Sequence, residues 1–201
     1  MRFAAALALA LVPGCLYGQS AFRATSWGMN EEQVRAAEKS PPVSARTSKG
    51  ELFLEFHSAR LGPVAGRMIY IFAQNQLVRA RFLPDADHAD RNEYIRDFQT
   101  VEAELKQRYG KPVQDRTIWI DDSTQDEPKS YLEQDRATAT GILPSDRHVG
   151  LAVLLGHLRL YTQRTQGPTE IWHTLWGEDR QITHQVEYQS VALRPLDRGR
   201  F

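Results

Sequence analysis

Apolar and polar positions alternate along this chain with two different periods, and the changes between them outline a fold. Residues 29–39 predict a first helix. Asn30 is a capping residue with Gln33 three places on, Glu31 and Glu32 suit a helix N-terminus, and Met29 and Val34 occupy the staple positions. Ser40-Pro41-Pro42 stops it. Period two then takes over. Glu51–His57 sets Leu52, Leu54 and Phe56 against Glu51, Glu55 and His57. Arg67–Ala73 is apolar on both faces, as a central strand is, and Leu77–Leu83 puts Val78, Ala80 and Phe82 inward with Arg79 and Arg81 outward. The connections are short enough for an antiparallel meander.

A long helix follows over 90–109, with Asp90 as its cap and Gly110-Pro112 ending it. Tyr94, Ile95, Phe98, Val101, Leu105 and Tyr109 form one stripe at helical spacing. Residues 117–120 read as a short strand, Asp121–Ser130 as an acidic loop, and 131–147 carry no strong period. Leu158–Arg164, Thr169–Trp176 and Gln181–Ser190 are three more strands, with Gly177–Arg180 as the loop between the last two. The expectation is an α+β two-layer sandwich. Two main helices lie on one face of an antiparallel sheet of six or seven strands, in the order α-βββ-α-β-βββ. The two halves share element order without recognisable sequence similarity, which raises the question of an internal repeat.

The N-terminus changes the picture. Met1-Arg2 precedes a ten-residue apolar run, Phe3–Val12, and Pro13-Gly14 breaks it. At 1.5 Å per residue the run spans about 15 Å, half of a bilayer's hydrocarbon core, which is the length of a signal-peptide core and too short for a membrane span. Two processing readings compete. Cleavage after Ser20 has Gly18 and Ser20 at the small-residue positions. Alternatively, Val12-Pro13-Gly14-Cys15 resembles a lipobox, in which the signal ends at Gly14 and Cys15 is lipidated. Either way the expectation is an exported protein, periplasmic or secreted, with outer-membrane anchoring under the second reading. It has one domain over 21–193 and a polar tail over 194–201.

Composition narrows the chemistry. Among 201 residues, 25 Lys and Arg balance 25 Asp and Glu, the apolar share is 41 % and the charged share 25 %. These proportions are those of globular domains. Balanced charge argues against a nucleic-acid partner, which requires a basic face. The single Cys, within the signal region, removes thiol catalysis and Cys-ligated metal centres from consideration.

No nucleophile elbow, His-Glu-x-x-His, P-loop or dinucleotide fingerprint occurs. The remaining candidates are constellations. If Gly177–Arg180 closes a regular hairpin, His173 stands directly opposite His184 at about 5 Å between Cβ atoms, as two ligands of one metal would. Leu175, Ile182, Ile171 and Val186 share that face, so the alternative is a core pair. In the acidic loop, Asp122, Thr124, Asp126 and Glu133 fall in a calcium-loop register. Glu127, however, stands where the sharp turn needs Gly. Arg79 and Arg81 suit an anionic ligand or an ion-pair ladder with Glu51 and Glu55. Trp172 and Trp176, flanking Thr174, suit either a ligand platform or the floor under helix 90–109.

Trp27-Gly28-Met29-Asn30-Glu31-Glu32-Gln33-Val34 resembles the Gly-Met-Thr-x-x-Gln-Val opening of exported BamE/SmpA-like lipoprotein domains, which are similar to β-lactamase-inhibitor-protein domains. The resemblance covers eight residues and lacks the Leu-Leu-Gly-x-Pro that closes that helix; here Ala36-Ala37-Glu38-Lys39-Ser40-Pro41 follows. It implies a non-enzymatic binding or scaffold module of the bacterial envelope, without cofactor, partnered by another envelope protein or a small ligand. The alternatives are a metal-assisted hydrolase built on His173 and His184, and a lipid-anchored assembly factor that touches the membrane only through Cys15.

Overall fold

The structure, a computed structural model, describes residues 20–121 and 147–193. Within them lies a mixed α+β fold dominated by one eight-stranded antiparallel sheet. In chain order the elements are β1 (Ser20–Phe22), β2 (Thr25–Ser26), α1 (Glu31–Ala37), β3 (Ser44–Ser48), β4 (Glu51–Leu61), β5 (Val64–Ala73) and β6 (Gln76–Pro84). Then come α2 (Asn92–Tyr109), β7 (Gln114–Trp119), α3 (Arg147–Leu154), β8 (Leu158–Gln166), β9 (Thr169–Glu178) and β10 (Gln181–Ser190). The sheet runs β3-β4-β5-β6-β10-β9-β8-β7, with β1 and β2 a separate small ribbon.

This strand count exceeds the expected six or seven, and, beyond the β1-β2 ribbon ahead of α1, the order gains β3 and α3. Both additions escape a periodicity reading for physical reasons. β3 is an edge strand, largely exposed, so its Ser-Ala-Arg-Thr-Ser sequence needs no apolar alternation. α3 spans eight residues and is apolar through most of its length, too short for a helical stripe to stand out. β4 also runs beyond the expected His57. A bulge sits between Phe56 and Ala59, with Ser58 at φ 61°. The extra residue shifts the alternation by one, which mimics a strand end while keeping Ala59 and Leu61 buried.

The sheet order reads as two four-stranded meanders joined through their last strands, β6 and β10. Their turns correspond. Gly62-Pro63 and Gly167-Pro168 close the second hairpin of each half, and Gln74-Asn75 and Asp179-Arg180, all at positive φ, close the third. Two consecutive positive-φ residues match the twist that a tight hairpin requires. The two halves therefore correspond in topology and turn geometry.

The helix signals at Asn30 and Gly110 hold, but the expected cap Asp90 falls one residue short: the cap position of α2 is Arg91, without a side-chain bond, and Asp90 accepts from the Asn92 amide instead. Asn30 accepts a hydrogen bond from the Gln33 amide while the Gln33 side chain accepts from the Asn30 amide. The residues just before α1 dock it on the sheet. The Trp27 indole donates to Thr169 at 2.8 Å, and Leu77 exchanges backbone hydrogen bonds with Gly28 and Met29. α2 presents Ile95, Phe98, Val101 and Leu105 to the sheet, all buried. They meet Phe56, Met68, Tyr70, Phe82 and Tyr188 on one half and Leu158, Leu160 and Leu175 on the other. Burying each such side chain contributes about 1.5–3 kcal/mol. α3 is clamped by close backbone approach. A Cβ on Gly177 would stand 1.9 Å from the Val153 carbonyl oxygen, and one on Gly150 would stand 2.5 Å from the Arg91 carbonyl carbon. Both helices lie on one face of the sheet; the other face carries no helix among the described residues.

Candidate functional site

The helix-covered face contains a polar cluster inside the core. Alternation along β8 turns Thr162 and Arg164 inward, and the same alternation turns His173 on β9 and His184 on β10 inward; all four are buried. Glu102 projects from α2 onto them. Its carboxylate accepts from Thr162 Oγ1 at 2.9 Å and from His173 Nδ1 at 3.2 Å, and two guanidinium nitrogens of Arg164 complete its shell. Phe98 stacks on the His173 ring, with centroids 3.9 Å apart and planes 14° from parallel. The two histidines face each other through Nε2 atoms 2.9 Å apart.

Charge and hydrogen bonding fix the protons. Burial raises the Glu102 pKa, but the hydrogen bonds from His173 and Arg164 and the Arg164 charge outweigh it, and the carboxyl is lowered to about 2. An ionised Glu102 can only accept, so His173 Nδ1 donates to it. The remaining His173 Nε2 then accepts from His184 Nε2–H. This leaves His184 Nδ1 as a buried acceptor without a partner among the described residues. Both rings stay neutral: burial lowers each pKa, against the pull of Glu102 on His173, and helped by the neighbouring His173 and His88 on His184.

The sequence expectation placed the two histidines directly opposite each other, and the register corrects this. The hairpin loop is Asp179-Arg180 rather than Gly177–Arg180, so Glu178 faces Gln181. His173 therefore faces Val186, His184 faces Leu175, and the histidines meet along a diagonal. A tetrahedral metal held at about 2.0–2.1 Å from both nitrogens would set them about 3.3 Å apart. Their 2.9 Å separation is that of a hydrogen bond. Glu102 lies on the far nitrogen of His173, and among the described residues no group of three His, Cys, Asp or Glu could hold a metal. His173 and Arg164 are at 0 % and 1 % exposure, so the cluster reaches solvent chiefly through Glu102, whose side chain is 21 % exposed.

The opposite, helix-free face is different in kind. Arg79 meets Glu51 through both carboxylate oxygens at 2.7 Å. This is the ion-pair ladder expected from sequence, but Arg81 pairs with Glu187 of β10 at 2.5 Å, and Glu55 takes Arg67 instead. β10 lies between β6 and β9, and sequence alone could not place it there. Trp172, Thr174 and Trp176 also lie on this face. The expectation that they form the floor under helix 90–109 is therefore overturned: α2 stacks on His173, whose side chain points the other way from its strand neighbours. With β7 and β8 the tryptophans line a groove of about 630 Å³, walled by Gln114, Arg116 and Ile118 on one side and Trp172, Thr174 and Trp176 on the other. Tyr161 on the floor packs edge-on against Trp172 at 5.7 Å between centroids. Trp172 Nε1 and Thr174 Oγ1 are buried without a hydrogen-bond partner among the described residues.

Cys15 and the calcium-loop register of Asp122, Thr124, Asp126 and Glu133 lie outside the described residues. Sequence reasoning missed Glu102, Arg164, Arg116 and Arg159. A signal existed for the first two. Glu102 is four residues after Phe98, beside the apolar stripe, and Arg164 falls in phase with Leu158 and Leu160, so each needed a buried partner of opposite charge. No protein family, curated protein or solved structure matches the chain.

Proposed function

We propose that this chain is a non-catalytic binding module exported to the bacterial envelope, and that it docks its ligand or partner on the helix-free face of the sheet. The observation that carries the reading is the division of polar chemistry between the two faces. The histidines and Arg164 of the titratable cluster are buried beneath α2, with Glu102 partly exposed, whereas the groove on the open face is aromatic and is lined by no His, Cys, Asp or Glu among the described residues. Concave, largely apolar surfaces with a few convergent polar groups are the usual form of binding sites. The signal-like N-terminus supports the export half of the proposal, and Cys15 provides for a lipid anchor as its alternative.

Site-specific photocrosslinking in intact producing cells tests it. A photoreactive residue at Gln163 or Gln185, on the open face, is expected to trap one discrete species. The same residue at Gln107, exposed on α2, is expected to trap none. Adducts from Gln107 alone, or residence of the processed protein in the cytoplasm, would overturn the reading. Palmitate labelling that disappears in Cys15→Ser would select the lipid-anchored form.

A further inference from the structure

The open face is neutralised in one half and left charged in the other. Arg67, Arg79 and Arg81 each meet a carboxylate. Arg116 on β7 and Arg159 on β8 are exposed and meet none among the described residues. The register sets Arg116 opposite Tyr161 and Ile118 opposite Arg159. The two guanidiniums are therefore diagonal neighbours, roughly 7–8 Å apart at Cα, on the same face. Glu170 and Glu178, the carboxylates in phase on β9, stand at its two ends. Beside the arginines the groove is apolar, with Ile118 on one wall and Trp172 and Trp176 on the other.

Two adjacent guanidiniums present planar forks of N–H donors that match an oxyanion. The aromatic wall desolvates whatever is attached to that oxyanion. A volume of about 630 Å³ is that of a small-molecule site, for which roughly 300–1,000 Å³ is usual. The unpartnered Trp172 Nε1 and Thr174 Oγ1 add polar atoms to the same wall that nothing in the described chain satisfies.

We infer that the groove over β7, β8 and β9 binds an amphiphilic organic oxyanion. Its carboxylate or equivalent sits on Arg116 and Arg159, and its apolar body lies between Ile118 and the two tryptophans. This rests on the open face being the docking surface and names what that face takes.

The test is titration calorimetry, with tryptophan fluorescence alongside, on the protein purified as the cell makes it. The probes are dodecanoate, dodecanol and dodecyltrimethylammonium. Dodecanoate is expected to bind about tenfold or more tighter than the other two, the factor set by a charge-assisted hydrogen bond. Arg116→Gln with Arg159→Gln should reduce dodecanoate to the level of dodecanol and leave dodecanol unchanged. Trp176→Ala should weaken both. Thermal melts check that each variant is folded; the arginines are exposed, so their replacement leaves the core intact. Equal binding of the three probes, or no effect of the double arginine variant, would overturn the inference. So would binding of an acidic polypeptide such as polyglutamate, or of polygalacturonate, with no binding of dodecanoate. In that case a crosslinked partner at Gln163 would still stand, so the ligand assignment can fail without the docking face failing.

Discussion

Glu102→Gln removes the charge that the buried cluster is built around, and its cost can be worked two ways. Lowering the carboxyl from an ordinary 4.5 to about 2 corresponds to roughly 3 kcal/mol of stability at neutral pH. Independently, leaving Arg164 at 1 % exposure without its counter-charge costs about 3–5 kcal/mol, the usual penalty for breaking a buried pair. The two agree on a loss of about 3–5 kcal/mol, a large part of the 5–15 kcal/mol that holds a domain. Urea unfolding at pH 7.5 measures it. The pH dependence carries the sign. A depressed carboxyl contributes stability that is full above 4.5 and lost as pH falls from there towards 2, and Glu102→Gln should remove that part of the acid slope. The histidines act in the same direction earlier. Their lowered pKa values mean that the unfolded chain takes up protons first, so wild-type stability should begin to fall once pH drops below about 6.5. Replacing both partners, Glu102→Met with Arg164→Met, should recover much of the loss, because the desolvation of both charges is removed together. A Glu102→Gln protein within about 0.5 kcal/mol of wild type, with an unchanged acid slope, would refute the network.

Phe98→Ala should cost about 3–5 kcal/mol in the same urea assay, since it removes a buried ring that stacks on His173; an unaltered midpoint would show that α2 does not pack here. Gly177→Ala places a methyl against the Val153 carbonyl and should displace α3, read as faster amide exchange across 149–154 and a loss of about 1–3 kcal/mol; wild-type exchange would contradict the close approach. Elemental analysis of the purified protein should find no stoichiometric zinc, and zinc lost in His173→Ala with His184→Ala would reinstate the metal-assisted reading.

Much of this molecule was legible before its tertiary structure. Wherever a segment buries one face, the burden of hiding apolar atoms writes the period into the sequence. This is why the stripe of α2, the capping box at Asn30 and Gln33, and the alternation of β4, β6 and β10 could be read directly. Local chemistry suffices for such signals because their partners are three or four residues away. It does not suffice where the partner is distant. β3 is hidden because an exposed edge needs no pattern, and the end of β4 because a bulge shifts phase. The two-residue difference between the loops Gly177–Arg180 and Asp179-Arg180 moved His184 from facing His173 to facing Leu175. Which face α2 covers was undecidable from β9 itself, since Ile171, His173 and Leu175 compete with Trp172, Thr174 and Trp176 as the more apolar row. The placement of β10 beside β6 then gave Arg81 its partner Glu187, while Arg116 on the edge strand β7 and Arg159 on β8 meet no carboxylate among the described residues. Those outcomes depend on long-range strand order, and strand order is set by the joint packing of both halves on one core, a quantity that no local stretch of residues contains.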